Sequence, residues 1–126
     1  MKKELTLSTL GHTWILDIDG TVCKHNGYKI DGKDTILPGV KEFFDSLNEN
    51  DKVIFVTSRT DEFKDITISF LKESGLRYDE IIFNCPYGER VLINDNKPAG
   101  LVTGHAICLS RDEGLENIEI NYDEKI

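Results

Sequence analysis

Asp17 and Asp19, separated by a single residue and followed by Gly20 and Thr21, are the side chains whose types and spacing most directly suggest chemistry. They end the run Thr13-Trp14-Ile15-Leu16, whose apolar character and turn-like boundary predict a buried parallel strand. In open α/β sheets ligands bind just beyond the carboxyl ends of such strands, so both carboxylates are expected at a strand tip. Two carboxylates held that close repel each other, and a hard divalent cation between them relieves the repulsion. The pair therefore asks for a metal. A structural reading competes: Asp19-Gly20 is a strong turn signal, and the acids could be solvated residues closing a hairpin. An EF-hand loop is excluded, because counting from Asp17 puts Val22 where the turn glycine belongs and Tyr28 where the bidentate Glu belongs.

The elements needed to hold such a pair can be read on either side. Residues 1–12 read as a leader, with Leu5, Leu7 and Leu10 available to pack on a sheet edge. After the first strand, Ile30-Asp31-Gly32-Lys33 predicts a small hairpin tip hanging over the strand end. Pro38-Gly39 opens a helix to about Asn48, with Val40, Phe43, Phe44 and Leu47 at amphipathic spacing. Val53 to Val56 predicts a second strand, ending in Thr57-Ser58-Arg59. A helix from about Glu62 to Glu73 follows, stopped by Gly75. Ile81 to Phe83, Val91 to Ile93 and Ala106 to Leu109 supply three further short strands. This rhythm predicts an α/β fold with a five-stranded, mainly parallel sheet flanked by helices. The seven steps from Asn84 to Val91 reach at most about 23 Å, too short to hold a crossover helix. The alternation at Ile118 and Ile120 has no assigned place.

The chain has 126 residues, one domain's worth, with 39% hydrophobic and 30% charged residues. A formal net charge of −8 argues against a broad grip on nucleic acid or an anionic membrane surface, while leaving room for a small anion held by a metal. Cys23, Cys85 and Cys108 are odd in number and lack a Cys-x-x-Cys pair, which predicts a reducing, cytoplasmic setting. Polar residues interrupt what would be the apolar core of a signal peptide, and no run reaches membrane-spanning length.

Asp17-Ile18-Asp19-Gly20-Thr21 after a strand, Thr57 at the next strand tip and Asn94-Asp95 at a later one together resemble the haloacid-dehalogenase (HAD)-like superfamily, of the type without a large cap. The resemblance covers about Trp14 to Leu109, giving one domain with a core of about residues 13–110 and a tail over 111–126. It implies that Asp17 is a nucleophile forming an aspartyl-phosphate. Asp19 would be the general acid and then the base. Mg²⁺ would be held by the Asp17 carboxylate, the Asp19 backbone carbonyl and Asp95. Thr57, with Ser58 and Gly20, would bind the phosphate.

Two positions depart from the family pattern. Asn94 stands where a second acid is frequent. Cys85-Pro86 stands where a lysine before a proline is expected, and Arg90, Lys97, Arg59 and Lys24 are the cations that could replace it, with Arg90 preferred. The resulting expectation is a Mg²⁺-dependent phosphohydrolase of a small phosphomonoester such as a sugar phosphate. A catalytically weakened metal- and phosphate-binding or regulatory domain is the alternative. A nucleic-acid end phosphatase is disfavoured by charge. With no cap to cover the pocket, a homo-oligomer is expected.

Overall fold

The computed structural model describes residues 2–126. Its central sheet holds β2 (Thr13–Leu16), β3 (Lys52–Val56) and β4 (Glu80–Ile82) in the order β2-β3-β4, all parallel. Thr13 pairs with Lys52 and Leu16 with Phe55, whereas Ile54 pairs with Glu80 and Val56 with Ile82. The middle strand, Lys-Val-Ile-Phe-Val, is built of β-branched and aromatic residues that suit a pleated, covered surface. Its Val53 and Phe55 are fully buried.

Those side chains meet the helices on one face. α1 (Gly27–Ile30) is a single turn, α2 (Val40–Ser46) buries Val40 and Phe44, and α3 (Lys64–Glu73) buries Thr67 and Leu71. The Phe44 and Phe55 rings stack at 5.7 Å, and Trp14 and Tyr78 extend the aromatic row at either end. Full burial of a ring such as Phe55 contributes about 1.5–3 kcal/mol, so this row is a major anchor of α2 on the sheet. The opposite face is barely covered: Ile15 and Ile82 are 53% and 52% exposed.

The expected single five-stranded sheet is corrected to two parallel sheets. β1 (Lys3–Leu7) lies within the stretch read as a leader and pairs with β5 (Ile118–Tyr122), from the tail that had no assigned place. The expected strands at Val91–Ile93 and Ala106–Leu109 do not form, and residues 83–117 contain neither helix nor strand. Val91 and Ile93 are 80% and 91% exposed. Three apolar residues bounded by Gly88-Glu89-Arg90 and Asn94-Asp95-Asn96 are flanked by poor strand formers that cannot extend a ladder. The hairpin tip expected at residues 30–33 is the end of α1 and the turn after it. The second long helix starts later than expected, behind a 3-10 turn at Asp61–Phe63. No helix among the described residues is long and apolar enough to cross a membrane.

Candidate active site at the strand tips

β2 delivers Asp17 directly at its end. The chain then turns back on Ile18, which is fully buried and whose carbonyl accepts the N–H groups of Thr21, Val22 and Cys23. Gly20 takes φ +82°, open to glycine, and its Cβ position would press on the Arg111 side chain at 3.3 Å. Its N–H donates to the Cys23 carbonyl at 2.8 Å, so the Gly20 amide expected to bind phosphate is already engaged within the loop.

β3 delivers Thr57 in the same way. Thr57 is buried, its N–H donates to the Ile82 carbonyl, and its hydroxyl oxygen accepts the Arg59 N–H at 3.1 Å. That leaves the hydroxyl proton for another acceptor. The Ser58 hydroxyl donates to the Pro86 carbonyl at 3.3 Å.

These tips floor a cleft of roughly 530 Å³ that gathers Asp17, Asp19, Gly20, Thr57, Ser58 and Arg90 of the residues expected in the site. Arg90 reaches over from a segment without regular structure, and its Nη1 lies 3.2 Å from Asp17 Oδ1. The other Asp17 oxygen accepts the Thr21 hydroxyl at 3.3 Å. Both partners of the Arg90 pair keep more than a third of their side-chain surface in water. Cys85, where the resemblance led a lysine to be expected, is not in the cleft wall. It is tied to the β3 tip by its N–H, which donates to the Thr57 carbonyl at 3.0 Å. Lys29 and Arg111 complete the cationic wall. Four basic and three acidic side chains line the cleft, whereas acids outnumber bases 23 to 15 in the whole chain.

Arg59 was one cation among several in the sequence, but its surroundings set it apart. It is 3% exposed, it grips Asp19 with Nε and Nη2, both at 2.9 Å, and it grips Asp34 with Nη1 and Nη2 at 3.1 and 2.7 Å. Nη1 also donates to the Thr67 hydroxyl at 2.8 Å, and the Tyr28 ring lies 4.0 Å from the guanidinium carbon. Hydrogen bonds to both acids raise the Arg59 pKa further, against the opposing effect of burial. Asp34 had no signal in the sequence, because its partner is 25 residues away, just past the end of β3.

The carboxylates of Asp17 and Asp95 and the backbone carbonyl of Asp19 were expected to hold Mg²⁺, and the structure does not bring Asp95 to the other two. Asp95 lies outside the cleft wall, in the exposed stretch where its carbonyl accepts the Thr103 hydroxyl. The Asp19 carboxylate is paired with Arg59, which leaves its backbone carbonyl beside the Asp17 carboxylate as what remains of the expected set. A second cluster of Asp19, Cys23 and Asp34 has metal-like spacing, but Arg59 Nη2 sits against all three, within 2.7–3.6 Å. Burial and the neighbouring acids push the Cys23 thiol strongly up, away from the thiolate a metal would need. A cation is thus supplied there by the protein itself.

The sequence matches no protein-family model and no curated protein. Among solved structures, a chain of the Pnkp1/Rnl/Hen1 complex is similar, with 22% identity and TM-score 0.52 over 66% of this chain and 31% of that one. A chain from a structure of the Pnkp1/Rnl/Hen1 RNA repair complex is similar too, with 24% identity and TM-score 0.51 over 67% and 29%. The chain thus corresponds to about a third of the length of those chains, and at this identity the likeness is one of fold. The expectation of a small phosphomonoester, with nucleic acid disfavoured by net charge, is corrected on this finding: the solved chains sharing the fold are parts of an RNA repair assembly.

Proposed function

We propose that the protein is a HAD-like phosphatase that takes the phosphate-bearing end of a nucleic-acid strand into the strand-tip cleft. The observation that carries this reading is the Arg90–Asp17 pair, a carboxylate and a cation 3.2 Å apart in the strand-tip cleft. The RNA repair setting of the similar solved chains favours a nucleic-acid end as the phosphate's source. Three unpaired cysteines and the absence of a membrane-spanning helix among the described residues support a cytoplasmic setting.

In this reading Arg90 and the Thr57 hydroxyl hold the non-bridging oxygens of the terminal phosphate. An Asp17 oxygen attacks phosphorus, an Asp17–phosphorus bond forms, and the bond to the sugar oxygen breaks. Asp19, on the same turn as Asp17, gives a proton to the leaving sugar oxygen once its bonds to Arg59 open; it then takes a proton from water, which attacks phosphorus, breaks the Asp17–phosphorus bond and releases inorganic phosphate. Fixed charge around the transferring group is the main contribution such a site can make.

The test is release of inorganic phosphate from single-stranded RNA oligonucleotides carrying a 5′ or a 3′ phosphate. Native protein should release it, and Asp17→Asn should not. Arg90→Ala should lower turnover by ~100-fold or more, the usual scale for losing one charge-stabilising donor, with its fold intact. Absence of both hydrolysis and binding would overturn the reading. Binding without hydrolysis would support a second one, an end-binding domain, which is favoured by the engagement of both Asp19 oxygens with Arg59.

A further inference from the structure

Tyr87 is 90% exposed, yet it stands in the wall of the cleft. Its place is not a loose loop tip. The Asn84 N–H donates to the Arg59 carbonyl at 2.8 Å, the Cys85 N–H donates to the Thr57 carbonyl at 3.0 Å, and the Pro86 carbonyl accepts the Ser58 hydroxyl at 3.3 Å. The three residues before Tyr87 are therefore fastened to the same strand tip that carries Thr57. Three residues after it, Arg90 reaches Asp17. One short segment thus presents an aromatic ring and a phosphate-seeking cation side by side.

The other tyrosine of the cleft cannot play the same part. The Tyr28 ring is covered on one side by the Arg59 guanidinium and meets the Phe63 ring at 4.8 Å. Tyr87 has no ring contact among the described residues. An aromatic ring left in water on a fixed stem is poorly used by the fold, because burying it would have been favourable. It is well used by a flat, unstacked ring arriving from solution.

We infer that Tyr87 is a stacking platform for the base of the terminal nucleotide whose phosphate enters the cleft. The inference rests on the nucleic-acid reading above. Stacking selects for a strand end with an unpaired base over a phosphomonoester that has none, and it tolerates any base, since every base has a π-face. Arg90 holds the phosphate while Tyr87 holds the base of the same nucleotide, and Lys29 and Arg111 face the neighbouring backbone.

The experiment is equilibrium binding by fluorescence anisotropy, using short single-stranded RNA with a terminal phosphate and a dye on the far end. A second probe is identical except that its phosphate-bearing nucleotide is abasic. Tyr87→Ala should weaken binding of the first probe by about tenfold or more, on the scale of one base-aromatic stack. Tyr87→Phe should bind as the native protein does. On the abasic probe native protein and Tyr87→Ala should bind equally, which ties the loss to the base. If native protein binds the first probe and Tyr87→Ala binds it equally well, the platform is wrong and the end-binding reading stands. If native protein binds neither probe, both fall together. Tyr87 is almost wholly in solvent, so the substitution carries no folding cost that could imitate the result.

Discussion

Two arginines reach the two acids of the strand tip, and their exposure separates their roles. Arg90 and Asp17 keep 40% and 37% of their side chains exposed, and pairs of that kind contribute only about 0–1 kcal/mol to stability. Arg59 and Asp34 keep 1% and 3%, so removing the guanidinium strands acids out of water, at a cost of about 3–5 kcal/mol. Arg59→Ala should therefore lower the urea-unfolding free energy by that amount, whereas Arg90→Ala should leave it nearly unchanged. Arg59→Lys should not restore it, because an ammonium cannot reproduce the fork that meets both carboxylates. Cys23, packed in the same cluster, gives a pH signature. Burial first, then Asp34 and Asp19, push its thiol above the ordinary value of 9.0. Above that pH the unfolded chain gives up the proton while the folded chain keeps it, so stability present below about pH 9 is lost as pH rises. Unfolding measured at pH 8 and pH 10 should show this loss in the native protein and a smaller one in Cys23→Ala. Equal losses would mean that the thiol does not contribute.

At the scale of elements, the tail is fastened to the start of α2 by two close approaches that require glycine. Gly39 and Gly114 take φ +74° and +83°, and the Leu115 N–H donates to the Pro38 carbonyl at 2.9 Å. A Cβ at Gly114 would run into the Pro38 carbonyl, and one at Gly39 into the Glu116 backbone. Gly114→Ala should cost at least about 2 kcal/mol, from left-handed strain and overpacking together. Gly88→Ala, where a Cβ meets nothing within 4 Å, should be neutral by the same denaturant measurement. This tail also marks the limit of what could be read beforehand. The strands ending at Asp17 and Thr57, and the helices between Val40 and Glu73, are legible because their apolar periodicity is local. β1 and β5 are not, because each is completed by a partner more than a hundred residues away, as in the pairing of Lys3 with Ile118. Val91–Ile93 shows the opposite failure, an apolar run that finds no neighbouring strand. The acid pair was readable from residue type and spacing, whereas Arg90 entered only as one of four cations that could replace the lysine the resemblance implies. The burial of Arg59 between Asp19 and Asp34 was not, since charge and position alone do not tell a buried fork from a surface cation.

For the whole molecule, a net charge of −8 surrounds the cleft that holds Arg90, Lys29 and Arg111, and this contrast sets how the proposed strand end would bind. Long-range attraction cannot draw in a strand, because the summed field opposes it. Affinity must come from the few contacts made once an end has entered. If Arg90 and one of Lys29 or Arg111 each meet a phosphate, about two counterions are released, and log K should fall against log salt with a slope of about −1.4, at about −0.7 per contact for single strands. Proteins that grip along a backbone through 6–10 contacts, on the order of several times more, fall far more steeply. The terminal phosphate should dominate in the same way. An oligonucleotide of identical sequence lacking that phosphate should compete at least about tenfold less well, because it leaves Asp17 and Arg90 paired with each other and forgoes the charge-assisted bonds that such a phosphate makes with arginine. Competition titrations at several salt concentrations measure both quantities at once. A steep slope with no preference for the phosphorylated end would show that the strand lies along another surface and that the cleft is not its site.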